Sequence, residues 1–121
     1  MSVVMMDIDH FHDVNNTYGH IMGDMVLREV AGRLRSSIRT VDIIGRYGGE
    51  EFMVILTELP LEPSFDVAER LRCAVADSPV QANGQSVSVT LSIGVATVTP
   101  ECKQLDDVIH RTHVVAGYGA E

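Results

Sequence analysis

The sequence predicts an α+β fold, in which a mixed, roughly five-stranded central sheet is flanked by helices. Two observations predict this class. Stretches rich in strand formers alternate with longer stretches in which apolar residues recur every three to four positions. The predicted elements follow the order strand, helices, hairpin, helix, strand, helix, which is the order of a ferredoxin-like sandwich.

Length and composition indicate one compact domain, residues 1–121. The chain has 121 residues, of which 45% are apolar and only four are proline, so it can bury a single core. Its two cysteines, Cys73 and Cys102, lack a C-x-x-C spacing and are interpreted as free thiols. The net charge of −8 argues against a nucleic-acid polymer as partner. A small anionic ligand would have to arrive with a divalent cation.

The first predicted strand runs from Ser2 to Met6 and is almost continuously apolar, which is typical of a central strand buried on both faces. The run is too short for a membrane span or a signal peptide, so we expect a cytoplasmic protein without membrane contact. It ends in Asp7-Ile8-Asp9. Carboxylates at the carboxyl end of a strand are well placed to meet a ligand.

Three helical segments are predicted before the last strand. His10 to Gly19 predicts a short helix and a turn, and Ile21 to Ile38 a longer amphipathic helix. A third helix is expected to start near Ser64 and to end at Ser78-Pro79. The apolar stripes of the two long helices are Val26, Leu27, Val30, Ala31, Leu34 and Ile38 on the first, and Phe65, Ala68, Leu71 and Val75 on the second.

A hairpin is predicted between those two long helices. Asp42 to Tyr47 and Phe52 to Leu56 are rich in strand formers, and the Gly48-Gly49 pair between them is a strong turn signal. Glycine at such a tip permits a positive φ and lets the backbone approach a ligand closely. With the carboxylates of Glu50 and Glu51 beside it, the tip suits a metal-bound phosphate.

The remaining predicted elements are a strand and a last helix. From Val87 to Val95 apolar residues alternate with small or polar ones, which predicts one half-buried strand. A final helix is expected from about Gln104.

Several short motifs occur in the order known from one protein family. They are Asp7-Ile8-Asp9-His10-Phe11, Asn15, Tyr18-Gly19-His20, Gly23-Asp24, Arg46-Tyr47, Gly48-Gly49-Glu50-Glu51-Phe52 and Ser92-Ile93-Gly94-Val95. Over nearly all of its length the chain therefore resembles the GGDEF domains, in the GGEEF variant, whose active members are diguanylate cyclases. The resemblance implies the palm-like sandwich of nucleotidyl cyclases. It also implies a reaction in which two GTP molecules give cyclic di-GMP and pyrophosphate.

In that family, the positions of Asp7, the Ile8 carbonyl and Glu50 bind the metal ions, which are Mg²⁺ or Mn²⁺. Hard oxygen ligands of this kind suit Mg²⁺. The resemblance makes Glu50 and Glu51 the catalytic candidates, and Glu51 would assist deprotonation of the attacking hydroxyl or hold a second metal ion. The alternatives are that Glu51 only supports the turn, and that the Glu-Glu pair is a solvated acidic turn.

Asn15 and Asp24 occupy the positions that recognise guanine in that family. A carboxylate accepts from the N1 and N2 donors of guanine and an amide can donate to its acceptors, whereas adenine would place an acceptor opposite Asp24. Considered alone, Asn15 is a cap or turn residue and Asp24 a charge at a helix N-terminus. The resemblance adds to the GTP site Phe11, His20, Gly48 and Gly49.

A second ligand site is implied just upstream of the hairpin tip. Arg39-Thr40-Val41-Asp42 has the R-x-x-D pattern and the spacing of the family's inhibitory site for cyclic di-GMP. Arginine can grip guanine or phosphate with two hydrogen bonds, and Asp42 can accept from guanine N1 and N2. Arg70 is the candidate for the second arginine of that site. The alternatives are a surface ion pair for the R-x-x-D and a helix-surface charge for Arg70.

The chain also departs from the family pattern. His12 stands where the family usually has lysine, and Asn16 where it usually has aspartate. The D-x-L-T-x-L-x-N-R-R segment before the first strand is absent, and Ala116 to Glu121 only partly matches the A-L-Y-x-A-K stretch, whose lysine, with a later arginine, contacts the triphosphate. We therefore expect a domain truncated at both ends and separated from an N-terminal sensor or receiver domain. Its GTP affinity and cyclase activity should be weakened, and its product site intact.

Three hypotheses for function follow. The first is a Mg²⁺-dependent diguanylate cyclase that is inhibited by its product and acts as a homodimer, because one domain holds one GTP. The second is a catalytically weak or inactive domain that senses cyclic di-GMP through Arg39, Asp42 and Arg70. The third is a GTP-binding regulatory domain. The intact Glu50-Glu51 pair favours the first hypothesis, and the missing C-terminal cations favour the second.

Overall fold

The computed structural model describes residues 1–98 and 113–117 of the chain. It confirms the predicted α+β class, with helices packed on a five-stranded sheet. The elements are β1 (Ser2–Ile8), α1 (Phe11–Tyr18), α2 (His20–Ser36), β2 (Ile43–Arg46), β3 (Glu51–Leu56), α3 (Leu61–Ala76), β4 (Val80–Ala82), β5 (Gln85–Val87), β6 (Leu91–Thr97) and β7 (His113–Gly117).

The sheet has the strand order β2-β3-β1-β6-β7. All of its pairings are antiparallel, rather than of mixed direction as expected. β1 lies at the centre, between β3 and β6, and its apolar residues are buried or half-buried, so the prediction of a central strand is confirmed. At its carboxyl end, Asp7 lies opposite Glu51 of β3 and Ser92 of β6.

The main core lies between one face of the sheet and the helices. Both predicted helical stripes are confirmed, because most of their members are buried and the others, Ala31, Ile38 and Phe65, pack against the core. Each such side chain contributes about 1.5 to 3 kcal/mol relative to exposure. The sheet residues of this core include Val4, Met6 and Ile8 of β1, Phe52, Val54 and Leu56 of β3, and Leu91, Ile93 and Val95 of β6.

Helix α3 begins three residues earlier than predicted, at Leu61 instead of near Ser64. Pro60 is its N-cap, and the Ser64 backbone N–H donates to the Pro60 carbonyl at 3.3 Å. Pro63 is tolerated inside the first turn because the N–H groups at that end of a helix have no partner within the helix. A proline there does not prevent the helix from starting.

The single strand predicted over Val87 to Val95 is wrong, because the structure divides it into β5 and β6. β5 pairs with β4 in a separate two-stranded sheet, whose turn holds Asn83 and Gly84 at φ 51° and 75°. Successive positive φ angles are typical of an Asn-Gly hairpin turn, so this dipeptide was the signal that would have found the hairpin. The apolar residues at odd positions are all buried, and this alternation continues across the break.

Residues 113–117 form strand β7, which pairs with β6, so the final helix expected from about Gln104 does not include these residues. Val114 and Val115 are β-branched, and such residues favour strands. The segment from Gln104 to residue 112, where the final helix was expected, lies outside the described residues, as does Cys102. Cys73 is a free thiol. No helix in the described part of the chain is both long and apolar enough to cross a membrane.

Arg33 connects α2 to the carboxyl end of α3. Its guanidinium donates to the carbonyls of Val75 at 2.9 Å, Ser78 at 2.7 Å and Pro79 at 3.0 Å, and its side chain is only 15% exposed. The Val75 carbonyl is one that a helix end leaves without a partner within the helix, and Ser78 and Pro79 belong to the loop that follows. Arg33 therefore fixes the position of the loop that leads to β4.

We expect Arg33→Met to lower the free energy of unfolding by about 2 to 3 kcal/mol, because it removes charge-assisted hydrogen bonds to three carbonyls. Arg35→Met, on the exposed side of the same helix, is the matched control and should stay within about 0.5 kcal/mol of the parent. Urea unfolding followed by circular dichroism measures both. Equal losses in the two variants would contradict this role of Arg33.

Candidate active site

Strand pairing brings the carboxyl end of β1 to the tip of the β2-β3 hairpin. Asp7 lies directly opposite Glu51, and the Ile8 backbone N–H donates to the Glu50 carbonyl at 3.2 Å. Residues opposite each other on antiparallel strands project to the same face, with Cβ atoms about 4.5 to 5.5 Å apart. Phe52 is buried on the other face and anchors the hairpin to the core. Four of the predicted metal and catalytic positions are therefore neighbours.

The hairpin tip is held by hydrogen bonds of its own backbone. The Tyr47 and Gly48 N–H groups donate to the Glu51 carbonyl at 2.9 and 3.5 Å, and the Arg46 guanidinium donates to the Gly49 carbonyl. The expectation that the Gly-Gly pair supplies a positive φ is wrong, since the described glycines with positive φ are Gly19 and Gly84. The turn closes without that conformation.

Gly48 instead leaves space for the Glu51 side chain. A Cβ added to Gly48 would lie 2.3 Å from Glu51 Oε1, whereas one added to Gly49 would meet nothing within 4 Å. The Glu51 carboxylate therefore lies against the Gly48 backbone. This contact is compatible with the alternative in which Glu51 supports the turn, and it also fixes the carboxylate beside Asp7.

Acidic side chains crowd the end of β1. Partial burial raises the pKa of Asp7, and the carboxylates of Glu50, Glu51 and Asp9 raise it further, while a hydrogen bond from the Ile8 backbone opposes them. Like charges directly opposite each other on paired strands are destabilising. A divalent cation bound here would relieve that repulsion.

The oxygen atoms at this edge fit Mg²⁺. Asp7 and Glu50 offer carboxylates and Ile8 a carbonyl, and Mg²⁺ is held in proteins by one or two carboxylates with water and phosphate oxygens in its other positions. Within residues 1–98 and 113–117, no cluster of three or more His, Cys, Asp or Glu side chains could hold a metal by itself. A Mg²⁺ ion held by Asp7, Glu50 and the Ile8 carbonyl would need water or phosphate oxygens as its further ligands.

Asp9, the second carboxylate of the β1 motif, has a different role. It is 7% exposed, and its oxygens accept hydrogen bonds from the Thr90 hydroxyl at 2.7 Å and from the Ser92 hydroxyl. Its backbone N–H donates to the Thr90 carbonyl at 2.9 Å. Asp9 thus ties the end of β1 to the start of β6 and does not face a ligand as a free carboxylate.

A pocket of about 520 Å³ lies between α1 and α2 and contains all four of the nucleotide-binding candidates predicted on these helices. Gly19, at φ 90°, forms the corner between the helices, and its N–H donates to the Asn15 carbonyl at 2.8 Å. That φ favours glycine. The residues lining the pocket are Phe11, Asn15, His20, Ile21, Asp24, Met25, Leu27 and Arg28.

The polar groups of this pocket are accessible. Phe11 is 6% exposed and belongs to the core, Asn15 is half-buried, and the Asp24 side chain is 60% exposed. Arg28 lies 3.5 Å from the Asp24 carboxylate, an exposed pair worth about 0 to 1 kcal/mol, so a ligand can displace it. Sequence reasoning did not place Ile21 at this pocket, where the structure has it 77% exposed, because its exposure depends on how α1 and α2 pack.

The R-x-x-D residues form a closed ion pair. Arg39 Nη2 donates to Asp42 Oδ1 at 2.8 Å and Arg39 Nε to Oδ2 at 3.1 Å, and Nη2 also donates to the Thr57 carbonyl at 2.8 Å. The Asp42 side chain is 2% exposed, whereas that of Arg39 is 47% exposed. The Arg39 side chain lowers the pKa of Asp42 despite burial. Asp42 therefore positions Arg39, and the accessible surface of the pair is the guanidinium.

Arg70 reaches the same segment from α3. Its Nε and Nη2 atoms donate to the Ser37 carbonyl at 3.3 and 3.2 Å, two residues before Arg39. The structure thus brings the three predicted product-site residues to the carboxyl end of α2. They lie apart from the hairpin tip, at the opposite end of β2 and β3.

Asp7 should make the stability of the chain depend on metal and pH. Its folded-state pKa is raised, so the penalty for ionising it is absent below the unfolded-state pKa and complete above the folded-state pKa. In EDTA at pH 7 we expect Asp7→Asn to melt at a higher temperature than the parent, a difference that disappears as the pH falls through the folded-state pKa. Added Mg²⁺ should stabilise the parent and not the variant, which differential scanning fluorimetry measures. A parent insensitive to Mg²⁺ would contradict the metal assignment.

Comparison with known proteins identifies the family. The family model "Diguanylate cyclase, GGDEF domain" matches residues 1–115. Diguanylate cyclase A of Treponema denticola is 40% identical over 111 residues, which cover 92% of this chain and 30% of that protein. The chain therefore spans less than a third of the length of this relative.

Solved structures of the same family share the fold. Diguanylate cyclase SiaD of Pseudomonas aeruginosa, in complex with its activator SiaC, matches with a TM-score of 0.84 and 36% identity over 91% of this chain and 42% of that one. The GGDEF domain of DgcB from Caulobacter crescentus, in complex with c-di-GMP, matches with a TM-score of 0.80 and 28% identity over 90% of this chain and 65% of that one. Sequence and fold agree over nearly the same residues, and the chain belongs to the GGDEF family.

Proposed function

We propose that this chain is the cyclase domain of a diguanylate cyclase, which condenses two GTP molecules into cyclic di-GMP and two pyrophosphates. The observation that carries this proposal is the position of the acidic cluster. Strand pairing sets Asp7 opposite Glu51 and close to Glu50 at the end of β1, and α1, which contributes Phe11 and Asn15 to the nucleotide pocket, begins four residues after Asp7.

The nucleotide pocket would hold guanine. Asp24 would accept from the N1 and N2 donors of the base, and the Asn15 amide would donate to one of its acceptors. Phe11 would contact the base, and His20 would line the pocket. The Gly48-Gly49 turn would face the phosphates, with open space at Gly49, where an added Cβ would meet nothing within 4 Å. The ribose and α-phosphate would then extend towards the end of β1.

Reaction requires attack of the 3′ hydroxyl of one GTP on the α-phosphorus of the other. Asp7, the Ile8 carbonyl and Glu50 would hold Mg²⁺ or Mn²⁺, which polarises phosphoryl oxygens and favours an ionised hydroxyl. Glu51, fixed against Gly48, would accept the hydroxyl proton or complete a second metal site. The chain itself mainly positions the reactants. Because one domain would hold one GTP, two copies must face each other as a homodimer.

Cyclic di-GMP is the proposed second ligand, at Arg39, Asp42 and Arg70. Support comes from the exposed Arg39 guanidinium, which Asp42 holds in a fixed orientation, and from Arg70, which donates to the Ser37 carbonyl two residues before Arg39. DgcB, whose structure contains c-di-GMP, is a relative with the same fold. The same observation favours a second candidate function, a sensor of cyclic di-GMP with little or no catalysis. A cytoplasmic location and an additional sensor or receiver domain stay predictions.

Incubation with GTP and Mg²⁺, followed by nucleotide chromatography, separates these functions. Formation of cyclic di-GMP and pyrophosphate supports the cyclase. No product, together with binding of added cyclic di-GMP in calorimetry, supports the sensor instead. GTP that is retained or hydrolysed to GDP, without binding of cyclic di-GMP, would contradict both and favour a GTP-binding regulatory domain.

A further inference from the structure

Gly23 of α2 contacts the side chain of Asn15 across the helix pair. A Cβ built on Gly23 would lie 1.9 Å from Asn15 Oδ1, 3.0 Å from Asn15 Cγ and 3.3 Å from Phe11 Cζ. Gly23 is itself buried, in the turn of α2 next to Asp24. The Asn15 carboxamide therefore occupies the space that any other residue at position 23 would fill.

A glycine at this position opposes helix formation. In a helix interior, glycine is about 1 kcal/mol less favourable than alanine. Gly32, in the same helix, has nothing within 4 Å of an added Cβ, so space does not require glycine there. Of these two α2 glycines, only Gly23 is required by a neighbouring side chain, and that side chain belongs to the nucleotide pocket.

We propose that Gly23 is a positioning residue for guanine specificity, because it allows the Asn15 amide to lie beside Asp24. Gly23 is not among the residues that line the pocket, and it acts through Asn15. An added methyl group must move the Asn15 amide, since 1.9 Å is far inside van der Waals contact. The displaced Asn15 amide would no longer be placed to donate to a guanine base that is bound to Asp24. This inference rests on the proposed guanine pocket.

The test compares Gly23→Ala with Gly32→Ala as the matched control, since both remove a glycine from α2. Binding of a fluorescent GTP analogue and of the matching ATP analogue is measured with Mg²⁺ present. We expect Gly23→Ala to weaken GTP binding about tenfold, the loss of one hydrogen bond, without weakening ATP binding. Gly32→Ala should stay within about twofold of the parent for both nucleotides. Equal effects of the two alanines would overturn the proposal.

Asn15→Ala and the double variant Gly23→Ala/Asn15→Ala complete a cycle. If Gly23 acts through Asn15, the double variant binds GTP as Asn15→Ala does, with no further loss. An additional loss in the double variant would overturn the proposal. If Gly23→Ala fails to fold, Asn15→Ala must restore its melting transition, and failure to do so also overturns it. An Asn15→Ala variant that binds GTP normally would refute the guanine pocket itself, and with it this inference.

Discussion

Glu50→Gln is expected to reduce the rate of cyclic di-GMP formation by about two to three powers of ten, measured against the parent chain under the same conditions. The substitution keeps the shape of the side chain and removes the charge. Glu50 lies beside Ile8 and Asp7 at the end of β1, where the proposed metal ion would provide several kcal/mol of transition-state stabilisation. Chromatography of the nucleotide products over time measures the rate.

A matched control keeps this result interpretable. Glu62→Gln removes an exposed carboxylate from the first turn of α3, away from the hairpin tip, and should leave the rate unchanged within about twofold. Glu50→Gln should remain folded, because Glu50 contributes no core side chain and the neutral amide reduces the repulsion around Asp7. A folded Glu50→Gln variant with the parent rate would contradict the catalytic assignment.

Arg39→Ala is expected to weaken binding of cyclic di-GMP by about one to two powers of ten in calorimetry, because it removes a charged guanidinium that can donate two hydrogen bonds to the ligand. The same change removes the guanidinium from the Asp42 carboxylate, which is 2% exposed and keeps the backbone N–H of residue 39 as a donor. We therefore also expect a loss of stability, which complicates the interpretation of this variant alone.

The double variant Arg39→Ala/Asp42→Ala separates the two effects. Removing both charges should recover much of the stability lost in Arg39→Ala, because the buried carboxylate that lost its guanidinium is removed as well. Binding of cyclic di-GMP should stay weak, since the guanidinium is still missing. Arg35→Ala, an exposed arginine of α2, is the control for a general loss of positive charge. Recovery of binding in the double variant would contradict the product-site proposal.

Many features of the fold could be predicted because local patterns agree with the tertiary structure. The continuous apolar run of β1 predicts burial on both faces, and Val4, Met6 and Ile8 lie in the main core while Val3 is buried with Ala96 in a second cluster. The stripes of α2 and α3 became the core. The prediction of one strand over Val87 to Val95 was wrong because alternation of apolar and polar residues does not show where a strand ends. The alternation from Val87 to Val95 is the same whether one strand runs through it or two strands share it.

The predicted site residues came from motifs, and the structure added how they are held. Asp42 was expected to face the ligand, but its burial under Arg39 makes it a support for the guanidinium. The role of Gly23 could not be read from the sequence, because it depends on how closely α1 and α2 approach. The surroundings of the two hairpin-tip glycines also differ in a way that the sequence does not show, because the Glu51 side chain lies against Gly48 and not against Gly49.

By itself, the sequence determined the α+β class, the hairpin with its acidic tip, and the residue types suited to a metal ion and a guanine base. These features follow from the residue types and from their periodicity over neighbouring positions of the chain. The tertiary structure alone decided which groups meet. Pairing of β1 with β3 set Asp7 opposite Glu51. Packing of α1 on α2 placed the Asn15 amide where a side chain at position 23 would lie. Distances between segments remote in sequence follow from packing the whole core, and no local pattern contains them.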